Sequence, residues 1–380
     1  MTRTELVAHE DLHRLVTDLF AERGVPPPRA RVAASALCHG DLCGFDSHGV
    51  FNLNRLYLPL FAAGRVDPVA EPEVVTDLGA CAVVDAHRSL GLWSASEAMD
   101  DAVVRAGAHG IGLVSVRGGT HFGCAGFHAL RAAERGMVGL VASNCGRQRI
   151  ARPPGATLAM LGTNPLSVAA PALPEHPFLL DMSTTTVPTG KIRTAASSGE
   201  EIPEGWLIDD AGNAVTDPAA FDAGTAHLSW LGGSAENGAH KGYGLGLVVE
   251  LLAALLPGAG TGPAAEALDG DGGPHGSDDD IGFFVLAIAP DLLRSGFGAD
   301  ARSLFAALTG ARPTDANGST SDDGSTSDDG STADSGVVYP GWWEAERALE
   351  RRRSGVPVRE HVHRELVELG LTAAEPVGGR

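Results

Sequence analysis

Two short segments of the 380-residue chain place a histidine beside glycine and a small hydroxyl residue. They are Asp46-Ser47-His48-Gly49 and Gly119-Thr120-His121-Phe122-Gly123. Because histidine titrates near neutral pH, two of them on glycine-bounded turns could transfer protons in one cleft. His48 could act as a general acid toward a carbonyl oxygen, with Ser47 hydrogen-bonding the substrate. Asp and Ser are also good helix N-caps, and a histidine on a strand–helix turn can be structural, so both interpretations stay open for each turn.

Three other segments could bind a ligand. The turn 162–165 contains Gly, Asn and Pro, which are typical of ligand-binding loops and of ordinary turns alike. Asp181-Met182-Ser183-Thr184 ends a predicted strand and enters a predicted helix, where a cofactor phosphate or ribose could bind. Lys241 lies at the start of an apolar helix, and a cation there opposes the helix dipole, which favours a nearby anion. For each segment the alternative is a turn or a capped helix without a ligand.

Helical and strand-like segments alternate around these motifs. Apolar spacing predicts helices at 12–20, 29–42, 92–108, 125–135, 344–353 and 360–369, one after His48 that ends near Gly64, and one from Lys241; it predicts strands at 81–85, 111–116, 138–142, 166–170, 178–181 and 283–289. The strand–helix–strand rhythm favours the α/β class. We expect an α/β domain at 76–313 and a helical domain built from both termini, 1–75 with 340–380.

The acidic charge of the chain is concentrated in two stretches. The formal net charge is −20, and twelve acidic residues lie in 257–280 and 315–334, which contain no Lys or Arg. The second stretch repeats Gly-Ser-Thr-Ser-Asp-Asp, a composition that buries little apolar surface, so we predict an acidic loop at 257–280 and a disordered acidic loop at 314–336. A calcium site is the alternative, but the repeat lacks the closing Glu of an EF-hand loop. The charge argues against a nucleic-acid partner.

Other composition features bear on the compartment. The chain has no run of eighteen apolar residues, and its N-terminus lacks the apolar core of a signal peptide, so neither a membrane span nor secretion is expected. Its five cysteines form no C-x-x-C pair and no metal-ligand spacing. Such a scattered set indicates reduced thiols, so we predict a cytoplasmic protein without a metal site.

In their order and spacing, these motifs resemble the malate/L-lactate dehydrogenase-like oxidoreductases. That family also includes ureidoglycolate, sulfolactate and 2,3-diketogulonate enzymes and reductases of Δ1-piperideine-2-carboxylate, a cyclic imine. The resemblance covers nearly the whole chain apart from the two acidic stretches. Its matching segments are 46–50, 120–123, 161–165, 180–184, 190–192, 202–206, 240–245 and 339–341.

The resemblance implies a fold and a chemistry. The chain lacks both the G-x-G-x-x-G and the G-x-x-x-x-G-K-[ST] fingerprints, as expected for this family's non-Rossmann nicotinamide-binding fold with a central mixed sheet, in which 76–313 would bind the cofactor. It implies a homodimer with cofactor and substrate near the subunit interface. The reaction would be hydride transfer between NAD or NADP and the carbon of a 2-oxo or 2-hydroxy acid-like molecule or of a cyclic imine.

The same resemblance assigns roles to individual residues. His48 and His121 would be the catalytic histidines, either of which could be the proton donor, while Ser47 and Thr120 would contact the substrate. The cofactor would be bound by Asn144, Thr163, Asp181, Met182, Ser183, Thr184, Lys241, Gly242, Pro340 and Gly341.

The segment after His48 departs from the family pattern. Asn52 stands where the family usually has an arginine that binds the substrate carboxylate, and Arg55 lies one turn further on. Leu56 stands where a tyrosine is usual, and Tyr57 comes one place late, in a segment one residue longer than usual. We therefore predict an atypical substrate pocket that includes Asn52 and Arg55. The alternatives are a non-catalytic cofactor-binding member of the family and a calcium-responsive interaction protein.

Overall fold

The structure is a computed structural model and describes residues 4–234, 236–263, 279–311 and 336–372. Its strands are β1 (Thr4–Val7), β2 (Glu73–Asp77), β3 (Cys81–Asp85), β4 (Ile111–Gly119), β5 (Val138–Ser143), β6 (Leu166–Leu173), β7 (His176–Met182), β8 (Leu207–Ile208), β9 (Ala214–Val215), β10 (His227–Leu228), β11 (Ile281–Ile288) and β12 (Val356–Arg359). Its α-helices are α1 (His9–Glu22), α2 (Pro27–Cys43), α3 (Leu58–Ala62), α4 (Gly91–His109), α5 (Ala125–Ala133), α6 (Thr189–Ser198), α7 (Ala219–Asp222), α8 (Ala239–Val249), α9 (Pro290–Leu293), α10 (Phe297–Thr309), α11 (Trp342–Ser354) and α12 (Glu360–Glu368).

A seven-stranded mixed sheet forms the centre of the described chain. Its strand order is β2-β3-β4-β11-β5-β6-β7, in which β3 and β4 are parallel and the other neighbours are antiparallel. Successive side chains of a strand point to opposite faces. On β11, Phe283 and Val285 therefore pack in the core with α4 and α5, while Phe284 packs with Val249 of α8 on the other face. The predicted α/β class is confirmed in the form of this mixed sheet.

Residues near both ends of the described chain share a second core. β1 pairs with β12 in antiparallel register, and apolar residues of α1, α2 and α12 are buried in one cluster. The cluster also contains Leu92 and Trp93 of α4, which belong to the segment predicted as the α/β domain. The termini and the start of α4 are thereby packed together beside the sheet.

The part of the chain between β7 and α8 forms a small lobe. Its three-stranded sheet has the order β10-β8-β9. Ile192 of α6 and Phe221 of α7 are buried against Leu207 and Leu228 of these strands. The lobe thus has a core of its own.

Two predicted helices differ from the structure. After β7 the chain is irregular until α6, because the hydroxyl-rich run 183–186 bonds to other loops: the Thr184 and Thr186 amides donate to Thr163 and Ser229. The segment after His48 contains a π-helical turn, Leu53–Tyr57, before the short α3. The predicted acidic loops fall largely on 264–278 and 312–335, which lie outside the described residues.

Candidate active site

Both histidine turns line one cavity of about 1040 Å³. The cavity lies between the helical core, the end of the mixed sheet and the small lobe. Its wall includes Asn144 after β5, Asp181 at the end of β7, Lys191 of α6 and Arg347 of α11. Segments that are far apart in the sequence therefore meet around the two histidines.

The ring of His48 is held by its own neighbour and faces His121. The Ser47 Oγ lies 2.9 Å from His48 Nδ1, and the two imidazole centroids are 6.1 Å apart with an angle of 28° between planes. Burial, aided by the proximity of His121, lowers the pKa of His48 to about 4. The His48 imidazole is therefore neutral near pH 7.

Helix α2 fixes the turn that carries His48. Gly44 ends α2 in the left-handed conformation, with φ +85°, and a 3₁₀ turn then covers Asp46–His48. The buried Asp41 carboxylate accepts the Val50 N–H at 2.8 Å. A Cβ on Gly49 would lie 2.1 Å from Asp41 Oδ1, so glycine is required there by close approach. Burial raises the pKa of Asp41 to about 7.

The second turn receives its support from a distant segment. The Tyr57 hydroxyl lies 2.9 Å from His121 Nδ1, and the Gly123 N–H donates to the same nitrogen at 3.2 Å. Gly123 has φ +81°, a conformation that glycine adopts without strain. Beneath the turn, the buried His128 bonds through Nε2 to the Phe122 carbonyl at 2.9 Å. His121 is thus held by the π-helical turn that precedes α3 and by its own loop.

The side chain of Asp181, at the end of β7, binds the first turn of α5. Its Oδ2 accepts the Gly126 N–H at 2.7 Å, an arrangement that the helix dipole favours. Burial nevertheless raises the pKa of Asp181 to about 6, and nearby Glu344 adds to the shift. The carboxylate lines the cavity while it anchors β7 to α5.

The structure brings about half of the predicted site residues to the cavity. Those that line it are His48, His121, Ser47, Asn144, Thr163, Asp181, Met182 and Ser183. Those that do not are Asn52, Arg55, Thr120, Thr184, Lys241, Gly242, Pro340 and Gly341.

The residues predicted to contact substrate after His48 have other partners. Asn52 Nδ2 donates to the Ser47 carbonyl at 2.6 Å, and the Arg55 guanidinium lies 4.5 Å from the centre of the Phe51 ring. Thr120 Oγ1 accepts the Gly91 N–H and donates to the Ser89 carbonyl. These contacts support the backbone around the site, and the structure does not place these side chains on the cavity wall.

Three of the residues predicted to bind cofactor but absent from the wall are in close contact with backbone. Thr184 Oγ1 donates to the Thr163 carbonyl at 3.0 Å. A Cβ on Gly242 would meet the backbone of Leu231, and one on Gly341 would meet that of Leu179. These positions brace the loops and strands that line the cavity.

Several cavity residues were missed by the sequence reasoning. Lys191 and Trp206 lie in segments that match the family, yet nothing in the sequence gave them a role. Arg347 and Arg351, one turn apart on α11, also line the cavity. Their i, i+4 spacing places them on one helix face, which was the only signal available.

The cavity suits an anionic coenzyme. Ligand pockets typically measure about 300–1,000 Å³, so a volume of about 1040 Å³ leaves room for a large ligand beside a small one. Arg347, Arg351 and Arg359 provide positive charge on its wall, and Phe122, Met182 and Leu231 provide apolar surface. Among the described residues no group of three or more His, Cys, Asp or Glu is placed to hold a metal ion. In the same residues no helix has the length and apolarity to cross a membrane.

Comparison with known proteins identifies the family. A family model described as malate/L-lactate dehydrogenase matches residues 7–367. The malate dehydrogenase of Pyrococcus horikoshii is 38% identical over 253 residues, which are 66% of this chain and 69% of that protein. The (2R)-3-sulfolactate dehydrogenase (NADP(+)) of Chromohalobacter salexigens is 33% identical over 307 residues, 80% of this chain and 87% of that protein.

The fold agrees with a solved structure of the same kind. The crystal structure of malate dehydrogenase from Entamoeba histolytica superposes with a TM-score of 0.83 and 25% identity, covering 98% of this chain and 100% of that one. The resemblance stated from the sequence is confirmed, and with it the prediction of a dehydrogenase or reductase that uses NAD or NADP. The chain belongs to the malate/L-lactate dehydrogenase family.

Proposed function

We propose that this cavity is the active site of an NAD- or NADP-dependent oxidoreductase acting on a 2-oxo or 2-hydroxy acid-like molecule or on a cyclic imine. The observation that carries the proposal is that His48 and His121 stack 6.1 Å apart on the wall of one cavity. The cationic side chains on the same wall support binding of an anionic coenzyme.

In the proposed reaction the two histidines have different tasks. A bound nicotinamide coenzyme supplies or accepts the hydride at the substrate carbon. His121 gives a proton from Nε2 to the carbonyl oxygen or imine nitrogen during reduction and takes it back during oxidation. His48, neutral near pH 7 because of its lowered pKa, orients the same atom by hydrogen bonding. After reduction, His121 is neutral and regains its proton from solvent.

Lys191 is our candidate for the anionic group of the substrate. Asn52 and Arg55 do not line the cavity, whereas Lys191 does. It lies in the first turn of α6, next to Gly190, where a Cβ would approach Ser47 Cβ to 2.7 Å. The start of α6 is therefore packed against the turn that carries His48. A contact through a lysine in place of the family's arginine supports a substrate other than malate or lactate.

A substrate screen tests the proposed function. NADH and NADPH consumption is measured with 2-oxo acids, ketones and cyclic imines, for the wild-type protein and for the double variant His48→Asn/His121→Asn. We expect turnover that the double variant loses, with coenzyme binding retained in a thermal-shift assay. Coenzyme binding without any turnover would instead favour the non-catalytic alternative.

The two lysines of the chain provide a matched pair of variants. We expect Lys191→Gln to raise the KM of an anionic substrate by about tenfold, the cost of one charge-assisted contact, with the KM of the coenzyme nearly unchanged. Lys241 lies on α8 outside the cavity wall, so Lys241→Gln should change neither constant. An increased coenzyme KM in Lys241→Gln would restore the role predicted from the sequence.

We infer that the protein is a homodimer. We also infer that it binds the coenzyme without a Rossmann domain and that it is cytoplasmic, as the sequence predicts. An exposed apolar stripe on α8 and the π-helical turn Glu250–Leu255 supports the dimer: Leu247, Val248, Leu251 and Leu255 are 37%, 44%, 56% and 57% exposed. Large exposed apolar patches commonly mark protein interfaces. Light scattering should give a dimer mass for the wild type and a monomer mass for Leu251→Glu; a monomeric wild type would contradict the inference.

The sheet and the packing of the termini support the rest of the expected architecture. In a Rossmann domain the strands are mostly parallel, whereas the described sheet has one parallel pair, β3 and β4. The core shared by α1, α2 and α12 supports a helical unit built from both ends of the chain. Proteolysis of the native protein with the coenzyme added would test whether the helical unit and the sheet protect each other.

A further inference from the structure

The segment that departs most from the family pattern carries an unusual turn. Leu58 N–H donates to the Leu53 carbonyl, five residues back, so Leu53–Tyr57 form a π-helical turn. A π-turn holds one more residue than an α-turn and is frequent at functional sites. The extra residue noted in the sequence is therefore accommodated within a helix.

The π-helical turn places Tyr57 next to the site. Its side chain is fully buried, packed edge-on against Phe20 with ring centroids 6.3 Å apart. Its hydroxyl lies 2.9 Å from Nδ1 of His121. Buried tyrosine hydroxyls usually require a hydrogen-bond partner, and here that partner lies on the cavity wall.

The two neighbours of His121 Nδ1 differ in what they can do. The Gly123 N–H can only donate, so it matches a bare Nδ1 and opposes a protonated one. The Tyr57 hydroxyl can donate to a bare Nδ1 and can accept from a protonated one. When an imidazolium gives its proton from Nε2, the remaining proton stays on Nδ1, so an acceptor is needed there. The Tyr57 oxygen supplies that acceptor.

We propose that Tyr57, brought to the site by the π-helical turn, is a positioning residue that holds Nδ1 of His121 in each of its protonation states. The proposal rests on the proposed function in that His121 is the group that exchanges a proton with the substrate. It adds the residue that orients His121 and the backbone turn that places that residue.

The primary test removes only the hydroxyl. In Tyr57→Phe the buried ring stays, and Nδ1 loses the hydroxyl while it keeps the opposing Gly123 N–H. Long-range ¹H–¹⁵N spectra of the imidazoles, assigned with His121→Gln, should show less Nδ1-protonated His121 and a titration midpoint lowered by about one pH unit, since one lost hydrogen bond changes an equilibrium about tenfold. This readout does not depend on finding a substrate.

The kinetic test uses whichever substrate the screen provides. We expect kcat of Tyr57→Phe to fall about tenfold with KM nearly unchanged, and the alkaline limb of the reduction profile to move to lower pH. Tyr339→Phe is the control: Tyr339 is also buried, and its hydroxyl donates to the His176 carbonyl at 2.6 Å, away from the cavity wall. It should leave spectrum and pH profile unchanged.

A second variant tests the turn itself. The exchange Leu56→Tyr with Tyr57→Leu keeps composition and length but moves the hydroxyl one position along the π-helical turn, to a different side of it. It should reproduce the altered His121 spectrum of Tyr57→Phe. If Tyr57→Phe leaves the His121 spectrum and the pH profile as in the wild type, Tyr57 only fills space and the proposal is overturned. A changed spectrum in a protein without any oxidoreductase activity would overturn the proposed function and leave the contact intact.

Discussion

The two histidine turns are similar in sequence and different in structure. His48 is held by the adjacent Ser47 and is neutral because burial lowers its pKa to about 4. His121 is held by Tyr57, 64 positions away in the sequence, through a hydroxyl that can donate or accept. His48 is thereby kept neutral, and His121 has a partner for both of its protonation states. This difference supports the roles proposed above, in which His48 orients the substrate and His121 transfers the proton.

Their glycines differ for physical reasons as well. Gly49 is needed because the Asp41 carboxylate occupies the place of a Cβ, whereas Gly123 is needed because its φ is positive. The buried groups beneath the turns also differ, Asp41 under the first and His128 under the second. The same residue pattern thus arises from two kinds of constraint, and each can be perturbed separately.

The largest expected effect separates the two histidines. His121→Asn should lower kcat by about 10²–10⁴-fold, the usual contribution of a general acid or base. His48→Asn should lower it less, by about tenfold, because a neutral hydrogen-bonding group is retained. Steady-state kinetics of both variants on the same substrate measure the difference. A larger loss in His48→Asn would reverse the proposed roles.

The next effect concerns the glycines. Gly49→Ala should destabilise the fold by about 2–3 kcal/mol because the methyl group overpacks against the anchored Asp41. Gly123→Ala should cost about 1–2 kcal/mol, the strain of an L-residue in the left-handed region. Urea unfolding of both variants and of the exposed control Gly136→Ala, whose φ is also positive and which has no neighbour near a Cβ, separates packing from strain. Equal losses in Gly49→Ala and Gly136→Ala would contradict the packing argument.

His128 should make the second turn sensitive to acid. Burial lowers the pKa of His128 from 6.5 to about 3, so below pH 6.5 the unfolded chain binds a proton that the folded protein does not. This contribution to the free energy of unfolding is lost as pH falls, by about 2 kcal/mol between pH 6.5 and 5. His128→Gln should reduce the slope of stability against pH in that range, measured by urea unfolding; an unchanged slope would exclude His128 as its source.

Asp41, beneath the first turn, should make the free energy of unfolding depend on pH in the opposite direction. Burial raises the pKa of Asp41 from 3.8 to about 7, and Asp46 adds to this effect while the Arg351 guanidinium, which donates to the Asp41 carbonyl, opposes it. The folded protein therefore retains the proton, and this contribution is lost as pH rises from about 4 to 7. Asp41→Asn should gain about 2–3 kcal/mol relative to the wild type between pH 5 and pH 8. Parallel stability curves for the two proteins would show that the carboxylate is charged in the fold at both values.

Local patterns predicted much of the fold because apolar spacing depends on nearby residues. The strands at 81–85 and 138–142 and the helix at 29–42 lie within β3, β5 and α2. The short β1 and β12 were not predicted, because strands of four residues at the two ends of the chain acquire meaning only when they pair with each other. The helix expected after Met182 was wrong because its threonines bond to loops that are distant in sequence.

By itself, the sequence determined the family and the NAD- or NADP-dependent dehydrogenase or reductase class, and it predicted the two histidines as site residues, since motifs of specific order and spacing carry all three. Only the tertiary structure decided which of the predicted side chains reach the cavity, since a helical segment with one extra residue turns its side chains to new directions. Asn52 and Arg55 remain outside the wall while Lys191 and Arg347 line it. Tyr57, late by one place in the sequence, reaches His121 because a π-turn absorbs the additional residue.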